Sequence, residues 1–128
     1  MIVNIGEYIY QALSSINGMT VYPVIAAFDS ASPTTPFAVY QRTSAEPSYT
    51  KSMWTGDIRH LYSITVVDSE YDASANLAQE AVNRLMALSY TQRQDIRFGQ
   101  VIMTDITEDF TDGLFVQTIQ FEINTQRL

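Results

Sequence analysis

The chain has 128 residues, 46% of them hydrophobic, and no cysteine, which predicts one globular domain over 1–128 and excludes disulfides, thiolate metal sites and cysteine nucleophiles. Seven Lys and Arg stand against 14 Asp and Glu, a net charge of −7; specific nucleic-acid binders and partners of anionic membranes lay cations against phosphate, so this balance argues against both. The opening MIVNIGEYIY has no basic segment ahead of its apolar residues, and no apolar run approaches the roughly 20 residues that span a bilayer, so neither a signal peptide nor a membrane helix is expected and assembly in a cytoplasm is.

Ile5, Ile9, Ala12, Leu13 and Ile16 recur at spacings of three and four, the stripe of a short helix, with Asn4 placed to cap it and Asn17-Gly18 to stop it. Residues 19–28 are apolar and partly β-branched, but Pro23 removes a ladder donor, so they read as an edge strand or extended segment. A polar, proline-bearing linker over 29–36 leads to a strand over 36–43, with Phe37 and Val39 on one face and Ala38 and Tyr40 on the other. Residues 44–57, SAEPSYTKSMWTGD, read as a long loop.

Residues 58–67 form the clearest strand, with Ile58, His60, Tyr62, Ile64 and Val66 on one face. After an acidic turn, in which Ser69 or Asp72 could cap, residues 73–88 form the clearest helix: Leu77, Ala78, Ala81, Val82, Leu85 and Leu88 make its apolar stripe. Residues 102–107 and 114–124 predict an antiparallel hairpin joined through Asp112-Gly113, with Ile119, Phe121 and Ile123 facing inward. The sum is an α+β fold, a largely antiparallel sheet of about four strands with two helices packed on one face.

Little catalytic chemistry is legible. His60 is the only histidine and lies mid-strand on the apolar face, which favours a packed structural role. Asp68, Glu70 and Asp72 alternate like the opening of a calcium loop, but Ala73 and Gln79 occupy the positions that need glycine and a bidentate glutamate, so acids at a helix start are the simpler reading and no metal is expected. Asp105, Glu108, Asp109 and Asp112 crowd the hairpin tip; solvated surface and an electrostatic docking edge are the competing readings, with a small carboxylate hydrolase using Asp105 and Asp109 as a third. No phosphate-binding glycine loop is present, so no nucleotide cofactor is expected. Arg42, Lys51 and Arg59 beside Tyr49 and Trp54 could bind a single strand, weakly supported in so acidic a chain.

The 44–57 segment is more informative. Tyr49, Met53 and Trp54, with Lys51 among them, are bulky groups enriched at protein interfaces, and Phe110 poses the same question amid the acids of the hairpin. These five residues are the candidate subunit or partner interface, with a monomeric peptide-binding module as the alternative use. Burial of Trp54 on its own domain is the bland counterpart.

Residues 36–42 (PFAVYQR), then Glu46-Pro47, a loop, the aromatic strand from His60 to Val67, Tyr71 and the alanine-rich helix over 73–88 resemble the tail-completion proteins of long-tailed bacteriophages. The N-terminal helix leading to Val21-Tyr22-Pro23 and the final hairpin with Asp109-Phe110 extend the resemblance over nearly the whole chain, while residues 26–35 and the terminal QRL do not match. The resemblance implies a virion protein of the tail and neck: a tail terminator that forms a ring, hexameric in that family, on the head-proximal end of the tail tube. Its implied partners are further copies of itself, the tail tube protein and the connector proteins of the head, with no catalytic residues to carry over. Another neck component, a head-closure or connector protein, is the nearest alternative. A ring with a negative lumen would let DNA pass without adhering, which suits the net charge.

Overall fold

The computed structural model describes residues 5–23, 35–49 and 54–128, with the backbone alone at Tyr49, Trp54 and Thr55. Helix α1 spans Gly6–Ser14 and buries Ile9 and Leu13, as its stripe requires. Asn4, the expected cap, lies outside the described residues; the N-cap position is held by Ile5, which makes no side-chain cap hydrogen bond. The chain then turns through Gly18 at φ +81° into β1, Thr20–Pro23. Strand β2 runs Phe37–Tyr49, β3 Trp54–Asp68, helix α2 Tyr71–Met86, β4 Gln92–Arg93, β5 Ile96–Thr111 and β6 Leu114–Arg127.

Among the described residues the strands form one six-stranded mixed sheet in the order β1-β2-β3-β6-β5-β4. Pairing is antiparallel throughout except for β1, which lies parallel to β2. This corrects the expected four-stranded, largely antiparallel sheet, although the molecule is α+β. The count rises at the two edges: β1 falls within the segment expected to be an edge strand or extended, and β4 is too short, polar and exposed to show a pattern. The expected 44–57 loop is also largely strand. Residues 44–47 pair with 58–61 and Tyr49 with Trp54, so β2 and β3 extend toward their hairpin tip with irregularities after Arg42 and Pro47. Bulges and Pro47 erase the strict period of two that would have revealed it.

Both helices pack on one face of the sheet. There Ile5, Ile9 and Leu13 of α1 and Ala78, Ala81 and Leu85 of α2 meet Tyr62, Ile64 and Val66 of β3 and Ile119, Phe121 and Ile123 of β6. The small side chains of α2 let its backbone approach the strands. A smaller cluster, Phe37, Val39 and Val67 with Tyr22, Leu114 and Val116, sits on the opposite face, so the two faces of β2 split as their alternation predicts. The β5–β6 hairpin closes on Asp112 (φ +54°) and Gly113 (φ +78°), a two-residue turn whose twist matches the strands.

Candidate functional site

The sheet has two ends, set by its hairpins. β3 pairs with β6 so that Asp57 lies opposite Gln126 and Asp68 opposite Phe115. The Tyr49–Trp54 hairpin tip therefore marks one end and the Asp112-Gly113 tip the other. This separates the candidate interface residues: Tyr49 and Trp54 oppose each other on backbone at the first end, and Phe110 lies at the second. Lys51 and Met53 lie outside the described residues, as do the side chains of Tyr49 and Trp54.

Phe110 is 58% exposed, yet it is not isolated. It sits opposite Phe115, ring centroids 4.7 Å apart, and Phe115 meets Tyr71 edge-on at 5.5 Å. Phe115 was not singled out by sequence reasoning, and Tyr71 entered it only through the family resemblance; the cross-strand register supplied by the Asp-Gly turn is the signal that could have found Phe115. Beside this aromatic row, Glu108 accepts a hydrogen bond from Gln117 Nε2 at 2.9 Å. A hydrogen bond from the Tyr71 hydroxyl, then that from Gln117, holds the Glu108 carboxyl below its usual range, while the same bond and the carboxylate charge raise the Tyr71 phenol.

The row continues along β5. Met103, Ile106 and Phe110 share the helix-facing side of the strand with Glu108, opposite Phe121, Ile119, Phe115 and Gln117 respectively. All are exposed, because α2 lies over the middle of the sheet and stops short of this edge. Between α2 and β5 runs a groove of about 530 Å³, lined on the helix side by Ala75, Ala78 and Val82 and on the strand side by Met103 and Ile106.

The acids of this hairpin are arranged as surface groups. Asp105 accepts the Ile106 amide at 3.0 Å, and Asp109 accepts the Phe110 amide at 2.8 Å and the Thr111 hydroxyl at 3.2 Å. Each is exposed and turned onto its own backbone, with no paired carboxylate in a cleft. Among the described residues no group of three or more His, Cys, Asp or Glu is placed to hold a metal. His60 is fully buried, its Nε2 3.0 Å from Thr125 Oγ1, while Nδ1 has no partner. Burial, with the positive charge of Arg42, lowers its pKa to about 4, so the ring is neutral.

Acids gather at one end of the sheet. The Asp112-Gly113 end carries Asp68, Glu70 and Asp72 after β3 and Asp105, Glu108, Asp109 and Asp112 on the hairpin, with no Lys or Arg among the described residues there. The opposite end mixes both signs, with Arg59, Arg84, Arg93, Arg97 and Arg127 beside Glu46, Asp57, Asp95 and Glu122. Arg59 bridges Glu46 and Glu122 at 2.8 Å each on the open face of the sheet. The Glu122 carboxyl is held below its usual range by hydrogen bonds from Asn124 and then Arg59. A second concavity at this end, about 510 Å³, is lined by Arg59, Arg97, Tyr90, Phe98 and Asn124.

No protein-family model matches the chain, and no curated protein sequence does. Among solved structures, a chain of the "Virion of native gene transfer agent (GTA) particle" is similar in fold, with a TM-score of 0.64 at 12% identity over 92% of this chain and 91% of that one.

Proposed function

We propose that this chain is a structural virion protein that caps the head-proximal end of a phage tail tube as a ring and joins the tail to the head. The observation that carries the reading is the whole-length likeness in fold to a chain of a gene transfer agent virion, in line with the tail-completion resemblance of the sequence. A non-enzymatic, single-domain role fits the site: its acids are solvated and self-bonded, and its distinctive features are exposed aromatics, a strand edge on β5 that carries no further strand among the described residues, and a cluster of acids. Such features build contacts between proteins. The partners are further copies of the chain in a hexameric ring, the tail tube protein and the head connector. DNA passes the ring without specific binding, and the place of action is the neck of the virion.

The experiment is binding of the purified chain to tail tubes. The expected result is density at one end of each tube and an arrest of further tube growth. Binding to portal or adaptor rings with none to tubes would overturn the terminator role in favour of a head-closure protein. Within this reading the Tyr49–Trp54 tip is a contact, so Trp54→Ala weakens tube capping while the melting temperature of the free chain stays within about 2 °C, the size of a surface change. A collapse in melting temperature would instead place the indole in the core.

A further inference from the structure

β4 covers β5 only at Ile96 and Arg97, and no strand lies beyond residues 102–111 among the described residues. Which backbone groups face outward there follows from the turn. The two-residue turn at Asp112-Gly113 is closed by Thr111 and Leu114, and a closing pair of this kind exchanges its hydrogen bonds inside the hairpin. Pairs then alternate along the strand. Thr107, Asp109 and Thr111 bond to β6, while the amides and carbonyls of Ile106, Glu108 and Phe110 point away from it. The side-chain bonds agree: Asp105 accepts the Ile106 amide at 3.0 Å, and Asp109 the Phe110 amide at 2.8 Å. Two outward donors of this edge are therefore held by carboxylates of the edge itself.

The edge has two unlike faces. On the helix side Met103, Ile106 and Phe110 are exposed along the groove whose other wall is Ala75, Ala78 and Val82 of α2. Glu108, among them, already accepts hydrogen bonds from Tyr71 and Gln117. On the other side stand Asp105, Thr107 and Asp109, opposite Gln120, Thr118 and Val116. No Lys or Arg lies at this end among the described residues to balance the two aspartates.

We propose that the 102–111 edge of β5 receives, as an added strand, an extended segment of a partner protein in which apolar residues alternate with Lys or Arg. Main-chain hydrogen bonds supply affinity in strand addition, and alternate side chains supply specificity. The apolar side chains of the segment enter the groove beside Met103 and Ile106, and its cations fall on the side of Asp105 and Asp109. The proposal goes beyond tail capping and does not rest on it, since it concerns what this edge binds and not where the particle places it.

The self-bonded aspartates make the edge selective. An incoming strand takes the Ile106 and Phe110 amides with its own carbonyls, which displaces Asp105 and Asp109 from them. Lys or Arg on the segment then receives the freed carboxylates in charge-assisted bonds. A neutral or acidic segment displaces the same carboxylates and leaves them without a partner, which costs free energy. Charge also argues against a second copy of β5 as the occupant. A two-fold antiparallel pairing sets Asp105 and Asp109 of one copy against those of the other, and like charges facing across strands repel. In a lone chain the same acids guard the edge against unregulated pairing.

The test adds a synthetic peptide of about eight residues, alternating Val and Lys and capped at both ends, to the isotopically labelled full chain. Binding and amide hydrogen exchange are followed residue by residue by NMR. The expected result is that exchange at Ile106, Glu108 and Phe110 slows about tenfold or more, and that affinity falls as salt is raised. A peptide with Glu in place of Lys, and one of the same composition with its Val residues gathered at one end, should bind about tenfold more weakly. Asp105→Asn with Asp109→Asn keeps an oxygen for each amide and removes the charges, so it should weaken binding about fivefold. Ile106→Lys, which places a cation at an exposed position beside the groove, should weaken it independently; both variants are checked for an unchanged melting transition. Equal binding of the rearranged peptide, or binding that leaves those three amides exchanging as before, would show loose charge attraction and overturn the proposal. No binding of the alternating peptide at about 1 mM would overturn it as well. Protection of the same amides in the chain alone, rising with its concentration, would make the edge a contact between copies and overturn it too.

Discussion

His60 carries the clearest pH dependence that a single side chain imposes on this fold. Its pKa is about 4 in the folded chain against an ordinary 6.5. Above pH 6.5 both states hold a neutral ring and the shift contributes nothing. As pH falls from 6.5 toward 4, the unfolded chain takes up a proton that the buried ring refuses, and stability drops by roughly 3 kcal/mol before levelling off. Denaturant melts across that window should show this slope, and His60→Leu should flatten it. A slope of the same size in the variant would assign the effect to other groups. The unpartnered Nδ1 fits the neutral ring with its proton on Nε2, donated to Thr125, since the other tautomer would leave a bare buried N–H donor. Gly113 is the other residue whose identity the backbone dictates. At φ +78° a side chain is strained even though nothing stands within 4 Å, so Gly113→Ala should cost about 1 kcal/mol, read as a shift of the urea midpoint with an unchanged slope. No shift would mean the turn relaxes.

Among elements, α2 is the part on which the site depends, because it fixes where the groove beside β5 begins. Leu85 and Ala81 are fully buried against the sheet, and Leu85→Ala should cost about 2–5 kcal/mol; a loss below 1 kcal/mol, measured by chemical denaturation, would show that α2 is not anchored there. The stripe of α2, the alternation of Ile58 through Val66 and the Asp112-Gly113 turn were all legible in the sequence, because long regular periods and left-handed turn chemistry are local signals. What lay beyond reading depended on register or on brevity. β4 has two polar residues, and β1 gains its meaning only from a parallel neighbour. The extension of β2 and β3 past Arg42 is hidden by bulges and by Pro47. For the same reason the exposed run on β5 was missed. Met103 and Ile106 alternate with nothing consistent across the irregularity between Met103 and Asp105, so only the pairing with Phe121 and Ile119 puts them on the helix side with Phe110. Of the candidate interface residues, the sequence left open that Phe110 and the Tyr49–Trp54 pair lie at opposite ends of one sheet, because that placement depends on register.

At the scale of the whole molecule, a mixed sheet curled into a half-barrel, with no strand beyond residues 102–111 of β5 among the described residues and acids gathered at the Asp112-Gly113 end, offers an edge to a partner. That is the physical content of the ring reading: edges are a liability in a lone subunit and a joint in an assembly. The acidic Asp112-Gly113 end also predicts how assembly responds to conditions. Contacts of this acidic end with cationic groups of a partner weaken as ionic strength rises from about 0.05 to 0.5 M, while folding of the subunit, which rests on the buried face of the sheet, changes little. Sedimentation and thermal melts over the same salt series separate the two; a melting transition that falls in step with the loss of assembly would mean the subunit is stable only in the ring.

The most direct test of the central claim is electron microscopy of a lysate from phage lacking this gene. The account predicts full heads lying apart from headless tails of uncontrolled length, because nothing stops the tube or presents it to the head. Normally joined particles would contradict it.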